Sequence, residues 1–146
     1  MMISRRMSLV VAIVVAAGIG ASAQVHKYFT PGSVWTITTI RVKPGMDQAY
    51  LAYLNTTWRQ TEEATVKAGY QKSYKVLRTM DDDGGYNFIL MREYSSLGSM
   101  EANVEKADAL AATVIGDDTK QMQGYEDRSK VREVVGTRTV RELMLK

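Results

Sequence analysis

Three aromatic side chains, Tyr50, Tyr53 and Trp58, recur along one helix-like segment, and a second group, Tyr74, Tyr86, Phe88 and Arg92, falls in two strand-like segments. Tyr and Trp rings stack on flat organic molecules while offering an O–H or N–H donor, and an Arg holds a carboxylate or phenolate through paired N–H bonds. A helix packed across those strands would bring Tyr50, Tyr53, Trp58, Tyr74, Tyr86 and Arg92 to the walls of one ligand cleft. The same residue types also build ordinary aromatic cores, and the spacing alone leaves both readings open.

The other chemistry-bearing residues are sparse. His26 is the single histidine and there is no cysteine, which excludes thiol nucleophiles, Cys-ligated zinc and iron–sulfur clusters. The position of His26, in a leading arm, also excludes a Ser-His-Asp arrangement. If the chain is cleaved after Ala23, Gln24-Val25-His26 becomes its N-terminus. A free amine, two backbone amides and the His26 imidazole then offer Cu(II) or Ni(II) four nitrogens in a plane, the geometry those ions favour. Cyclisation of Gln24 to pyroglutamate would remove the amine, and a lone arm histidine is otherwise simply solvated. Asp81-Asp82-Asp83 followed by two glycines offers carboxylate oxygens of the kind calcium takes, but it matches no EF-hand loop and has the composition of a hairpin turn. Glu62-Glu63 and Asp117-Asp118 are adjacent rather than spaced along a helix face, which argues against paired acid and base roles.

Charge and length narrow the class. Residues 1–23 have a basic start with Arg5 and Arg6, an apolar run of about 13 residues and a closing Ala21-Ser22-Ala23. This is the pattern of a cleavable signal peptide, shorter than the roughly 20 residues of a spanning helix. The absence of Cys after the run excludes a lipid anchor. The expected product is periplasmic or secreted, with no membrane attachment after cleavage. Two of the 19 basic residues leave with the signal, so 17 remain against 16 acidic ones. A nearly neutral domain with interspersed signs offers no basic stripe for nucleic acid. The 123 residues that remain suffice for one domain with its own core.

The elements that must position these side chains are legible in order. Residues 24–33 read as an extended arm holding a Pro31-Gly32 turn, and residues 34–146 as the domain. Val34–Lys43 is dense in β-branched residues and reads as a strand, closed by Pro44-Gly45. From Met46 the apolar spacing changes to three and four through Tyr50, Tyr53, Leu54, Trp58, Thr61 and Thr65, one face of a long helix stopped at Gly69. Tyr70–Met80 and Tyr86–Tyr94 read as strands joined by the Asp-Gly turn, an antiparallel hairpin. Ser99 is expected to cap a second helix running to Val114. A short polar helix follows Asp117-Asp118, and Gly136–Lys146 reads as a last strand. The order is the α+β, ferredoxin-like βαββαβ arrangement with a four-stranded antiparallel sheet.

Phe88-Ile89-Leu90-Met91 is apolar on both faces, and Trp35, Ile37, Ile40 and Val42 also fall on both. A half-exposed strand alternates apolar and polar residues, so helices on one side leave the other in need of cover. A second copy packed sheet to sheet supplies it, which makes the expected partner a homodimer mate.

This order of elements, the Val42-Lys43-Pro44-Gly45 turn into an aromatic-bearing helix, the hairpin ending in Arg92-Glu93-Tyr94 and the closing Arg138–Leu143 segment together resemble the dimeric α/β-barrel superfamily. Within it the chain is most similar to small secreted bacterial members of unassigned function, near the NIPSNAP-like and antibiotic-biosynthesis-monooxygenase-like groups. The resemblance spans residues 34–146 and implies a dimeric α/β barrel. The superfamily's haem enzymes ligate iron through a His of the domain; His26 lies outside the matched region, so haem is not expected, nor is any other cofactor. What the resemblance implies is an exported domain that binds a small organic molecule in the helix–sheet cleft. Two alternatives stand beside it: a cofactor-independent monooxygenase or isomerase acting on a small aromatic or polyketide-like substrate, and an interaction module whose barrel is filled. Whether the domain is an enzyme is left open.

Overall fold

In the computed structural model, residues 27–81 and 84–146 are described. The proposed signal peptide and the Gln24–His26 metal site lie outside them, as do Asp82 and Asp83. Two units can be told apart. The described part of the smaller comprises residues 27–31 and Leu143–Lys146, where the Lys146 N–H donates to the Tyr28 carbonyl at 3.1 Å. The larger is Gly32–Glu142, and it holds the clefts and the core described below.

The element order is β1 (Phe29–Val42), α1 (Asp47–Tyr53), a π-helical turn (Leu54–Trp58), α2 (Arg59–Lys67), β2 (Ser73–Arg78), β3 (Phe88–Tyr94), α3 (Leu97–Ala102), α4 (Val104–Ile115), α5 (Asp118–Val131) and β4 (Arg132–Leu145). The strands form one sheet in the order β2-β3-β1-β4. The β1–β3 and β2–β3 pairs are antiparallel. This is the ferredoxin-like α+β fold expected from the sequence. Among the described residues no helix is long and apolar enough to cross a membrane.

Strand alternation sorts the sheet into two faces. The register Ile40↔Phe88, Thr38↔Leu90 and Thr36↔Arg92 on one side, with Arg78↔Phe88, Val76↔Leu90 and Tyr74↔Arg92 on the other, places these residues on the helix-covered face. Ile40, Val42, Phe88 and Leu90 there join Tyr50, Leu54 and Trp58 in the buried core. The opposite face carries Trp35, Ile37, Ile89, Met91 and Leu77, with the Lys75 ammonium 4.9 Å from the Trp35 ring centroid. These apolar side chains keep partial to substantial exposure.

The long helix departs from regular geometry in its middle. The Arg59 N–H reaches the Leu54 carbonyl, the i→i+5 bond of a π turn. Its effect follows from spacing. Tyr50, Leu54, Trp58 and Glu62 are four apart, and at 3.6 residues per turn each step of four overshoots by about 40°. A wider turn removes part of that overshoot, so all four side chains stay buried and face the sheet. The Gly69 stop is as expected, with φ at +77°, the left-handed conformation that Gly adopts freely.

Several boundaries differ from the sequence reading. β1 begins at Phe29, inside the segment read as an arm. Pro31 is compatible with a strand there because it precedes the β1–β3 ladder, which starts at Val34↔Tyr94, so its missing N–H costs no bond to β3. Ser96 rather than Ser99 caps the second helix: its hydroxyl accepts the Ser99 N–H at 3.0 Å, and the Ser99 hydroxyl accepts the Ser96 N–H at 3.1 Å. The reciprocal bonds of this capping box start α3 three residues early, and a break at Asn103 separates it from α4. Finally α5 is 14 residues long, and β4 starts directly at Arg132 with no turn residue to announce it.

Candidate functional site

The six residues expected to share one cleft do not: four of them fall in three separate clefts and two in none of these. Tyr50 and Tyr53 line a cleft of about 370 Å³ between α1, the end of α4 and α5, together with Thr57, Val114, Ile115 and Arg128. Arg92 lies in a second cleft of about 240 Å³ between α2, α4 and the sheet. Tyr86, 38% exposed, belongs to a groove at the hairpin end with Arg41 and Asn87. Trp58 and Tyr74 line none of these clefts. Trp58 is buried and meets Tyr74 edge-on, ring centroids 5.3 Å apart, which makes it a core residue.

Arg92 has a partner that the sequence reading passed over. Glu62 is 2% exposed, and both its carboxylate oxygens accept the Arg92 Nε–H at 2.9 Å, with Arg92 Nη2 a second donor to Oε1 at 2.5 Å. Gln71 Nε2 donates to Glu62 Oε2 at 2.8 Å. Arg92 is therefore committed to a buried carboxylate rather than free for a ligand. A buried ion needs this kind of compensation. The signal for Glu62 was its spacing of four from Trp58; a Glu on an apolar stripe calls for an opposite charge opposite it, and Arg92 is the helix-facing cation of β3.

The cleft under Tyr50 and Tyr53 is different in character. The two rings stack at 6.0 Å, and Tyr50 meets Phe88 edge-on at 5.3 Å. The Arg132 guanidinium lies 5.8 Å from the Tyr50 ring centroid, and that of Arg128 lies 5.2 Å from the Tyr53 ring centroid, within the range of cation–π attraction. Tyr50 is 1% exposed, and burial pushes its phenol up to about 12, against the opposing pull of Arg132. The hydroxyl is thus a proton donor at neutral pH. Among the described residues it has no hydrogen-bond partner, and neither have the buried Nε atoms of Arg128 and Arg132. Asp127, the acid lining this cleft, accepts from Lys130 Nζ at 2.8 Å and from Gln123 Nε2 at 3.1 Å. Among the described residues no cluster of three His, Asp or Glu side chains is placed to hold a metal ion.

The class that fold and cleft define is a ferredoxin-like α+β domain with a half-open aromatic and basic cleft on its helical side. No protein-family model matches the chain, and no curated protein matches it. Solved structures do. The chain is similar to HapK from Hahella chejuensis at 13% identity and a TM-score of 0.50, over 75% of this chain and 91% of that one. It is also similar to a dimeric ferredoxin-like protein from an uncultured marine organism at 12% identity and a TM-score of 0.50, over 80% and 90%. A NIPSNAP family protein of unknown function from Agrobacterium tumefaciens is similar at 15% identity and a TM-score of 0.47, over 79% and 90%. At these identities the likeness is one of fold.

Proposed function

We propose that the chain is an exported small-molecule-binding domain that works as a homodimer, with its ligand seated in the cleft between α1, α4 and α5. The observation that carries this reading is the cleft itself: about 370 Å³, within the size range of small-molecule sites, floored by stacked Tyr50 and Tyr53 and holding a buried hydroxyl without a partner. A core aromatic of ordinary kind finds a partner for its hydroxyl.

The test uses a neutral flat probe, 2-naphthamide, followed by calorimetry or by quenching of intrinsic fluorescence. The wild type should bind it, and Ala49→Trp, which fills the cleft from α1, should abolish binding while leaving the fold intact by circular dichroism. A wild type that binds no flat probe, or binding that survives Ala49→Trp, refutes the reading.

Assembly rests on the apolar face of Trp35, Ile37, Ile89, Met91 and Leu77, because an exposed patch of this kind is a liability unless covered. One of the similar structures is described as dimeric. Light scattering at micromolar concentration should give a dimer mass, and Ile89→Asp, on the uncovered face, should give a soluble monomer.

A further inference from the structure

We infer that the occupant of the cleft is an aromatic oxyanion, a flat ring bearing a carboxylate or phenolate, seated where Tyr50 and Arg128 line the cleft, with the Arg132 guanidinium beside the Tyr50 ring. The inference rests on the proposed cleft and adds the charge of its ligand.

The argument starts from unmet hydrogen-bonding capacity. Tyr50 Oη, Arg128 Nε and Arg132 Nε are all buried and all lack partners among the described residues. Leaving one such atom unpaired is uncommon; here three belong to side chains in ring contact with the same pair of stacked tyrosines. All three atoms donate at neutral pH: a guanidinium has N–H donors and no acceptor, and the Tyr50 phenol keeps its proton up to about 12. Three buried donors grouped around one pair of tyrosine rings without an acceptor call for one, and two cations among them call for a negative one.

The charges around the cleft agree. Arg128 and Lys120 both line it, and the ion pairs of the described residues, which involve Arg41, Arg59, Lys72, Arg78, Arg92 and Lys130, include neither of them nor Arg132. The opposing charge, Asp127, is engaged by Lys130. Room for the Arg128 head is provided by Gly124 in the interior of α5, where a Cβ would stand 3.1 Å from Arg128 Nη1. Glycine inside a helix is unfavourable relative to alanine, and in this position it keeps the guanidinium from being pushed aside. The ring requirement comes from the floor: Tyr53 presents its ring to the cleft, and a flat apolar surface favours a flat ligand.

The experiment compares 2-naphthoate with its neutral isostere 2-naphthamide at pH 7 and constant ionic strength. Wild-type protein should bind the carboxylate at least about tenfold more tightly, the scale of one charge-assisted hydrogen bond. The double variant Arg128→Gln with Arg132→Gln should lose that preference while still binding 2-naphthamide, and Arg128→Lys should keep part of it. Equal affinities for the two probes in the wild type, a comparison that requires no variant, overturn the oxyanion and leave the cleft standing. A preference that persists in the double variant also overturns it, by placing the anion elsewhere. If neither probe binds, the cleft reading falls and the oxyanion falls with it.

Discussion

Removing the Tyr50 hydroxyl should make the unliganded protein more stable. Tyr50→Phe keeps the ring, its edge-on contact with Phe88 at 5.3 Å and its stack on Tyr53 at 6.0 Å, so the packing contribution is unchanged. What disappears is a buried hydroxyl with no partner, and a group left in that state costs about 1–3 kcal/mol. The low end applies, because the hydroxyl belongs to a side chain that lines an open cleft and the Arg132 guanidinium nearby offsets part of the desolvation. The expected gain is about 1 kcal/mol, or about 3–6 °C in melting temperature for a domain of this size. Urea unfolding is the assay: the midpoint should rise with the slope unchanged, the signature of a pure stability change. In the presence of saturating 2-naphthoate the order should reverse, because only the wild type gains the hydroxyl's bond and a ligand stabilises according to its affinity. A Phe variant less stable than the wild type without ligand would mean that the hydroxyl has a partner in solution, and the argument from unmet donors would fail.

Three further outcomes follow from the same structure. Trp58→Ala should cost about 3–5 kcal/mol in urea unfolding, the full penalty of a large core truncation, and should leave the relative affinities of the two naphthyl probes unchanged. Glu62→Ala strands Arg92 against the core and should cost about 2–3 kcal/mol, below the range for fully buried pairs because the Arg92 side chain is 39% exposed; Glu62→Leu combined with Arg92→Leu should recover most of that loss. Glu93 is held down to about 2 by hydrogen bonds from Lys72, Ser33 and Ser73. Its folded-state value is depressed, so its contribution is present above the ordinary 4.5 and lost as pH falls from there toward 2, and Glu93→Gln should flatten the acid limb of stability between those values.

The parts of the fold legible in the sequence were those where one physical signal dominates. β-branched density gave β1 and the Asp-Gly turn gave the hairpin, and the run Phe88–Met91 correctly announced two apolar faces: Phe88 and Leu90 are buried in the core, while Ile89 and Met91 point to the uncovered side. The candidate site was less legible because aromatic content does not say which aromatic is core. Trp58 and Tyr74 satisfy each other, and Tyr86 lies where the hairpin end carries it. Arg128 and Arg132 went unnoticed for a different reason. They sit at the end of a polar helix and the start of a strand with no turn between them, so neither apolar period nor turn chemistry marks the segment. Glu62 was hidden by its neighbour, because a Glu62-Glu63 pair reads as a solvated face until the phase of the helix is known.

That phase depends on the π turn, and it explains why one helix serves two sites instead of the single cleft its aromatics suggested. Tyr50 packs beside Phe88 at the start of β3, and Glu62 reaches Arg92 four residues later on the same strand, so the helix runs along β3 with its two halves over opposite ends of the strand. A regular α-helix holding Tyr50 against Phe88 would carry residue 62 about 120° around the axis, the sum of three overshoots of about 40°. Glu62 would then turn away from Arg92, leaving a guanidinium over the core without its carboxylate. The wide turn at Leu54–Trp58 keeps the ion pair at one end while Tyr50 and Tyr53 remain turned to α5 at the other. Its irregular geometry is therefore offset by the pairing of a buried charge, and the aromatic cleft and the ion pair are positioned by the same five residues.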